Sequence, residues 1–292
     1  GEVMSEDAIY QRRYQYWPAA AEWRIPMSAC LLTAAVDVQT SPPRLEIEVI
    51  AWGEGYESWG IEYRVIPGDP AGDEVWQALD EYLSREWLHE SGLKMKISAC
   101  GIDTGGHYAR QVYRYCRRRR RVFALKGSNT RGKPLITASA VKTTLKNKVQ
   151  LWIVGTEIAK DTLFDWMQRE APGAGYMHYH IGYDYSYFRQ LTNEVGVTEY
   201  DKGGRPYRVW KKKSSDARTE ALDCRVYNLA ALEILNPNFK AVSANLNLQI
   251  QALNIKPEQT EEPEVEITPP ATPPRKSFIQ RPRRGGWVNG WK

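Results

Sequence analysis

Three aspartates stand where an aspartate is out of place. Asp37 lies in LLTAAVDVQ (Leu31–Gln39), an apolar and partly β-branched run that reads as a buried strand. Asp103 closes a second such run, MKISACGID (Met95–Asp103), and Asp223 falls inside a periodic helix expected over Ser215–Leu235. An unpaired buried carboxylate is expensive, so each needs a proton, a partner or a cation. Isolated carboxylates on regular elements suit a divalent-cation site for phosphodiester hydrolysis, in which two cations sit about 3.5–4 Å apart with open coordination positions. Magnesium takes oxygen ligands, few of them from protein. Read singly, each aspartate is equally well a residue that meets water. Read together, they carry a chemistry.

Other groups qualify as accessories. Glu220 precedes Asp223 by nearly one turn, as an additional ligand or a solvated helix residue. Lys160, one turn into a helix starting at Thr156, would neutralise a phosphate or a carboxylate, or simply lie at the surface. His107, His178 and His180 are candidates for proton transfer, because histidine is the side chain that ordinarily changes charge near neutral pH, yet two histidines on one strand face make no metal motif without a third ligand. Arg117, Arg118, Arg119, Arg120, Arg121, Lys126, Arg131, Lys133, Lys142, Lys146 and Lys148 form the densest basic region, which Lys211, Lys212 and Lys213 extend. Such rows contact phosphates without reading sequence. A charge run is more often only a solvated face, but because this one adjoins the carboxylates in the chain, it is the expected DNA-binding face. GSNTRGKP (Gly127–Pro134) fails the phosphate-loop spacing at Pro134, which argues against nucleotide binding there.

Positioning these groups falls to a mixed sheet. Leu31–Gln39, Arg44–Trp52 and Ser58–Ile66 are three strands joined by short turns, so they form an antiparallel meander. In Arg44–Trp52, Leu45, Ile47, Val49 and Ala51 share one face, with Glu46 and Glu48 on the other. A helix over Asp73–His89, the strand Met95–Asp103, a helix over Gln111–Arg120 and the strand Val122–Lys126 follow. That β-β-β-α-β-α-β order puts the first strand at the centre and brings the acids to one sheet edge. Further on come a strand at Gln150–Gly155, helices at Thr156–Arg169 and Tyr185–Glu194, and a basic strand at Tyr207–Lys213. The Asp223 helix opens after Ser214-Ser215-Asp216, good N-cap residues, with Leu222, Val226, Leu229 and Ala230 as its apolar stripe. Past Pro237 order weakens, with a short edge element at Leu246–Ile250.

The totals narrow the class. A length of 292 residues allows one large domain with tails or two smaller ones, and a formal charge of +5 is a mild bias toward a polyanionic partner. The four cysteines have no C-x-x-C spacing and there are only four histidines, so a structural zinc or disulfide framework is disfavoured and a reducing, intracellular setting is expected. No apolar run reaches membrane-spanning length and the start is no signal peptide, so the expectation is a soluble, non-secreted protein without a membrane partner. Residues 1–30 read as a surface lead-in and 31–250 as the domain. Residues 251–292 read as a disordered acidic, proline-rich spacer ending in a basic aromatic docking tail.

LTAAVDVQTSPPRLEIEVIAWGEGYESWGIEYRVIPGD, CGIDTGGH, FALKG and RTEALDCRVYNLAALEIL together resemble the nuclease portion of the large terminase subunit of lambda-like tailed bacteriophages. That resemblance covers most of residues 25–240. It implies an RNase H-like endonuclease that cuts concatemeric viral DNA during packaging with Mg²⁺ or Mn²⁺, two ions in all, held by Asp37, Asp103 and Asp223. It further implies a preceding ATPase domain that is missing here, a small terminase subunit and a portal protein docked by the C-terminal tail. The implied setting is the host bacterial cytoplasm, with absence from the mature virion. Two rival readings are a Holliday-junction resolvase or transposase-like nuclease of the same fold, and a non-catalytic module that binds DNA and docks on the portal.

Overall fold

The computed structural model describes residues 4–139 and 149–254. Lys142, Lys146, Lys148 and the spacer and tail beyond Asn254 lie outside them. The chain opens with helix α1 (Glu6–Gln11), capped by Ser5, whose Oγ accepts from the Ala8 amide. Strands β1 (Leu31–Thr40), β2 (Pro43–Trp52) and β3 (Ser58–Pro67) follow, then α2 (Glu74–Leu83), the short pair β4 (Trp87–Leu88) and β5 (Lys94–Met95), and β6 (Ile97–Asp103). Next come α3 (Ala109–Cys116), β7 (Val122–Ser128), β8 (Ile136–Ala138), β9 (Leu151–Gly155) and α4 (Thr156–Met167). Strand β10 (Met177–Tyr179), α5 (Tyr185–Thr192), the hairpin β11 (Glu194–Tyr200) and β12 (Pro206–Lys212), α6 (Glu220–Leu235) and α7 (Phe239–Asn254) complete it.

Eight strands form one sheet in the order β10-β3-β2-β1-β6-β7-β9-β8. β1, β2 and β3 are the expected antiparallel meander, and β6 and β7 then add parallel to β1. This central β3-β2-β1-β6-β7 order, with its helices on both faces, is the RNase H-like arrangement. Parallel neighbours need a crossover between them, and α3 supplies the one from β6 to β7. One core lies between the sheet and α2 and α3, around Leu32, Ile47, Leu79, Ile102 and Val112. A second lies between the sheet and α4, α5 and α6, around Ala35, Leu163, Phe188, Val226 and Leu229.

Several expectations are corrected. The helix expected over Asp73–His89 ends at Leu83, and Trp87 goes to β4. The acid-bearing α6 starts at Glu220 rather than Ser215 and is buried nearly all round, not along one stripe, because α4 and α5 cover the side that the sheet leaves open. It ends where Asn236 adopts a left-handed φ of 47° ahead of Pro237. The edge element expected at Leu246–Ile250 is instead helix α7, which has no buried residue to give it a tertiary pattern. Residues 4–30 belong to the same compact unit as the sheet. Ile9, Ile25 and Ala29 are fully buried, and Arg12 Nη1 and Arg13 Nη1 each donate at 2.6 Å, to the carbonyls of Met167 and Tyr183.

Glu46 and Glu48 also break the alternation rule, since both are fully buried beneath α6. Glu46 accepts from Arg44 Nε at 2.5 Å, from Arg218 Nη2 at 2.6 Å and from the Tyr63 hydroxyl. Glu48 faces Arg225, 1% exposed, whose Nη2 lies 2.9 Å from Oε1, and it takes the hydroxyls of Tyr187 (2.6 Å) and Tyr183 (3.1 Å). Helix α6 therefore rests on the sheet through ion pairs as well as apolar contacts. Its approach also depends on Gly101. A Cβ there would come within 2.5 Å of Leu125 Cδ1 and 3.0 Å of the Tyr227 carbonyl. Gly101→Ala is expected to lose about 1–3 kcal/mol of stability by overpacking, read as a lower urea midpoint at unchanged m-value.

Candidate active site

Parallel register does most of the work of assembly. β1 and β6 pair through Ala35↔Gly101 and Val36↔Ile102, so Asp37 and Asp103 are the next residues out on neighbouring strands, about 4.8 Å apart at the backbone. Both occupy the C-terminal rim, where ligands of open parallel sheets bind. Alternation turns both toward α6: Asp37 shares its face with Thr33, whose hydroxyl donates to Asn228 of α6 at 2.7 Å. The Tyr227 hydroxyl donates to Asp103 Oδ1 at 2.9 Å. Asp223, one turn before Tyr227, thereby joins the same cluster.

Each carboxylate is held by a neighbour. Gln39 Nε2 donates to Asp37 Oδ2 at 2.6 Å, the Gly105 amide to Asp103 Oδ1 at 2.9 Å, and the Thr219 hydroxyl to Asp223 Oδ2 at 3.1 Å. Asp37 is only 4% exposed. Burial first, then the charges of Asp223 and Asp103, push its carboxyl well above the usual range. Burial likewise raises Asp103, and raises Asp223 to about 6 against the opposing pull of Lys160. Oδ1 of Asp37 and of Asp223 accept no hydrogen bond from any described residue.

Among the described residues, no three His, Cys, Asp or Glu side chains are arranged to hold a metal ion as they stand. The three aspartates form a mutually repelling group whose one nearby cation, among the described residues, is Lys160 beside Asp223, rather than a closed cage. Such a group fits a hard cation that draws few ligands from protein and completes its shell with water and substrate oxygens.

The accessory candidates divide. Lys160 has its charge close to Asp223, and its Nζ lies 2.6 Å from Glu194 Oε2, with side chains 11% and 7% exposed. Sequence reading misses Glu194 because helical propensity runs up to it, whereas it begins β11. Glu220 is paired with Arg44 (2.9 Å) and Arg218 (3.2 Å), which places it in the Glu46 network. His107 is exposed in the loop after Asp103.

His180 lies next to β10, three strands from β1, and stacks on Trp17 at 3.9 Å. Burial lowers its pKa to about 4, so it is neutral and remote from the carboxylates. His178 is clamped between the Tyr14 hydroxyl (2.8 Å) and Glu57 (2.6 Å) on the same distant strand. Neither histidine belongs to the carboxylate group, because β10 adds at the far edge of the sheet.

The basic region also splits in space. Lys126 and the loop bearing Arg131 and Lys133 leave the C-terminal end of β7, the rim that holds Asp103. The hairpin carrying Lys211 and Lys212 is rooted beside Lys160 through Glu194, and the amide of Trp210 on β12 donates to Glu157 of α4 at 3.1 Å. Lys211 pairs with Glu199, and Lys212 Nζ donates to the Ala217 carbonyl at 3.1 Å. Arg117, Arg118, Arg119 and Arg120 go elsewhere. Helix α3 runs back along the sheet, so they lie at the opposite rim, where β7 begins. Their nearness to the carboxylates holds in the chain only.

Over residues 1–245 the chain matches the family described as terminase large subunit gpA, endonuclease domain. It is 33% identical over 219 residues to the terminase large subunit of Escherichia phage lambda, covering 72% of this chain and 33% of that protein. To the terminase large subunit of Enterobacteria phage P21 it is 31% identical over 244 residues, 80% of this chain and 36% of the relative. The chain thus spans about a third of the length of these curated relatives. Among solved structures, the large terminase of bacteriophage HK97 aligns with 78% of this chain and 43% of its own, at 11% identity and a TM-score of 0.38. Asp37, Asp103 and Asp223 all fall inside the family match.

Proposed function

Since the chain belongs to the terminase large subunit gpA endonuclease family, we propose that it hydrolyses phosphodiester bonds of double-stranded DNA at Asp37, Asp103 and Asp223, cutting concatemeric viral DNA during genome packaging. The observation that carries this reading is the β1–β6 register, which sets Asp37 beside Asp103 on the face that Tyr227 and Asp223 close. These three residues would hold Mg²⁺ or Mn²⁺, two ions in all, which when bound would neutralise charge at the scissile phosphate and ease ionisation of an attacking water. Gln39, Tyr227 and Thr219 orient one carboxylate each, leaving the second oxygens of Asp37 and Asp223 for the cations. Lys160, fixed by Glu194, keeps a positive charge beside Asp223 and supports its ionised form. Lys126, Arg131, Lys133, Lys211 and Lys212 flank this rim and would receive the DNA backbone without reading sequence.

We extend the same proposal to an ATPase-bearing large subunit, a small terminase subunit, a portal contacted by the C-terminal tail, and action in the host cytoplasm. No helix among the described residues is long and apolar enough to cross a membrane. The test is conversion of supercoiled plasmid to nicked and linear forms with Mg²⁺, Mn²⁺ or EDTA. Cleavage that requires the metal and is lost in Asp103→Ala is the expected result. Equal cleavage by the variant would move the chemistry away from this site.

A further inference from the structure

The displaced arginines lead to a different assignment, which rests on the reading as a DNA nuclease. Helix α3 packs on the sheet face opposite α6 through Val112, Tyr115 and Cys116. It starts just after the Asp103 loop and ends at the far rim. Arg110, Arg114 and Arg117 recur at i, i+4 and i+7 on its outward face, with Arg118, Arg120 and Arg121 continuing beyond. Arg114 is paired with Asp73 at 2.6 Å and Arg119 with Asp80 at 2.7 Å. The side chains of Arg110, Arg117, Arg118, Arg120 and Arg121 make no hydrogen bond or ion pair with any described residue. An open groove of about 440 Å³ runs between Arg110, Tyr113, Arg114 and Arg117.

Arg121 adds a second observation. Its φ is 57°, the left-handed region where glycine or asparagine is usual. A residue with a Cβ costs about 1–2 kcal/mol there, so the turn at Arg121 carries local strain. The concentration of guanidinium forks with no partner among the described residues calls for a dense external anion.

We propose that α3 and the turn after it form a second duplex-DNA contact, which grips the backbone away from the cutting centre. Arg110 to Arg117 spans about 10 Å at 1.5 Å per residue, about three phosphates of one strand at 3.4 Å of helix axis each. Arginine suits this role because its planar fork meets a phosphate through two donors. DNA held here would be anchored on the layer opposite α6 while its scissile phosphate reaches the carboxylate rim. The footprint then extends past the site, and affinity depends on duplex length.

The test measures binding of a fluorescent 30-base-pair duplex over a series of KCl concentrations, without divalent cations, for the intact chain and for Arg110→Gln/Arg117→Gln/Arg118→Gln. Each neutralised phosphate contributes about 0.9 to the slope of log K against log salt. The triple variant is expected to show a slope shallower by about 2–3, and the corresponding triple lysine variant to keep the original slope. Unchanged thermal unfolding in both variants confirms that charge is the quantity altered. A glutamine variant with the parental slope and affinity would overturn the proposal and leave this face to an acidic protein surface. Because the binding assay contains no cleavage step, its failure is distinct from failure of the nuclease reading, which the plasmid assay decides.

Discussion

Asp37→Asn is expected to abolish metal-dependent cleavage while making the cation-free protein more stable. The loss should reach about 10²–10³-fold, the scale seen when a single charge-stabilising group is removed from an active site. The gain follows from linkage. Asp37 and Asp223 both have folded-state pKa values above the ordinary carboxylate value, Asp223 at about 6. Between about pH 4 and 6 the folded chain therefore binds more protons than the unfolded chain, and stability falls as pH rises through that window. At neutral pH the ionised pair is a net cost, about 1.4 kcal/mol for every tenfold by which folding weakens the acid. Thermal unfolding in EDTA at pH 5 and pH 7.5 should show the wild type losing stability across the interval and Asp37→Asn losing less. Added Mn²⁺ should raise the wild-type midpoint by mass action and leave the variant nearly unmoved. A variant less stable than wild type in EDTA would contradict the account of Asp37 as a charge without a partner.

The second large effect is on stability alone. Arg225→Met should cost about 3–5 kcal/mol, because it strands Glu48, fully buried, without its cation. The pair itself is imperfect. Neither terminal nitrogen of Arg225 makes an aligned hydrogen bond, and Glu48 Oε2 has no partner among the described residues. Arg225 Nε, by contrast, donates to the Tyr187 hydroxyl at 2.7 Å. Replacing both charges, as Glu48→Leu/Arg225→Met, is therefore expected to recover most of the loss, since an apolar pair of similar volume avoids the desolvation of both ions. Chemical denaturation of the two single variants and the double variant gives the coupling directly. A double variant as unstable as the sum of the singles would show that the ion pair contributes no coupling.

The sequence revealed elements whose anomalies are local. Asp37 and Asp103 stood out because β1 and β6 are otherwise apolar, and that same contrast located the strands. Asp223 was legible from helical spacing, although the helix around it is buried on nearly every side rather than on one. Features defined by pairing between distant segments were not legible. Glu194–Tyr200 became a strand only through its partner Pro206–Lys212, so the hairpin and the Lys160–Glu194 pair were hidden together. Glu46 and Glu48 looked like the wet side of an alternating strand because Arg218 and Arg225, which pair with them beneath α6, arrive from far along the chain; only Arg44, on Glu46, is local. The arginine row was misplaced for a simpler reason: a crossover helix reverses direction, so neighbours in sequence end at opposite rims.

The way the three aspartates are spread along the chain bears on when they can act. Asp37 and Asp103 meet once β6 pairs with β1, but Asp223 arrives only with α6, the last helix that packs on the sheet. A chain emerging from the ribosome at about 5–20 residues per second carries the first two acids well before the third. Contacts of such long sequence separation form slowly, after the loop-closure entropy has been met. Nascent or truncated chains that lack α6 therefore have the strands but not the cluster. Under the proposed assignment, ordering the acids this way would make synthesis through α6 a precondition for cutting, so copies that stop short of it would be harmless to the DNA around them.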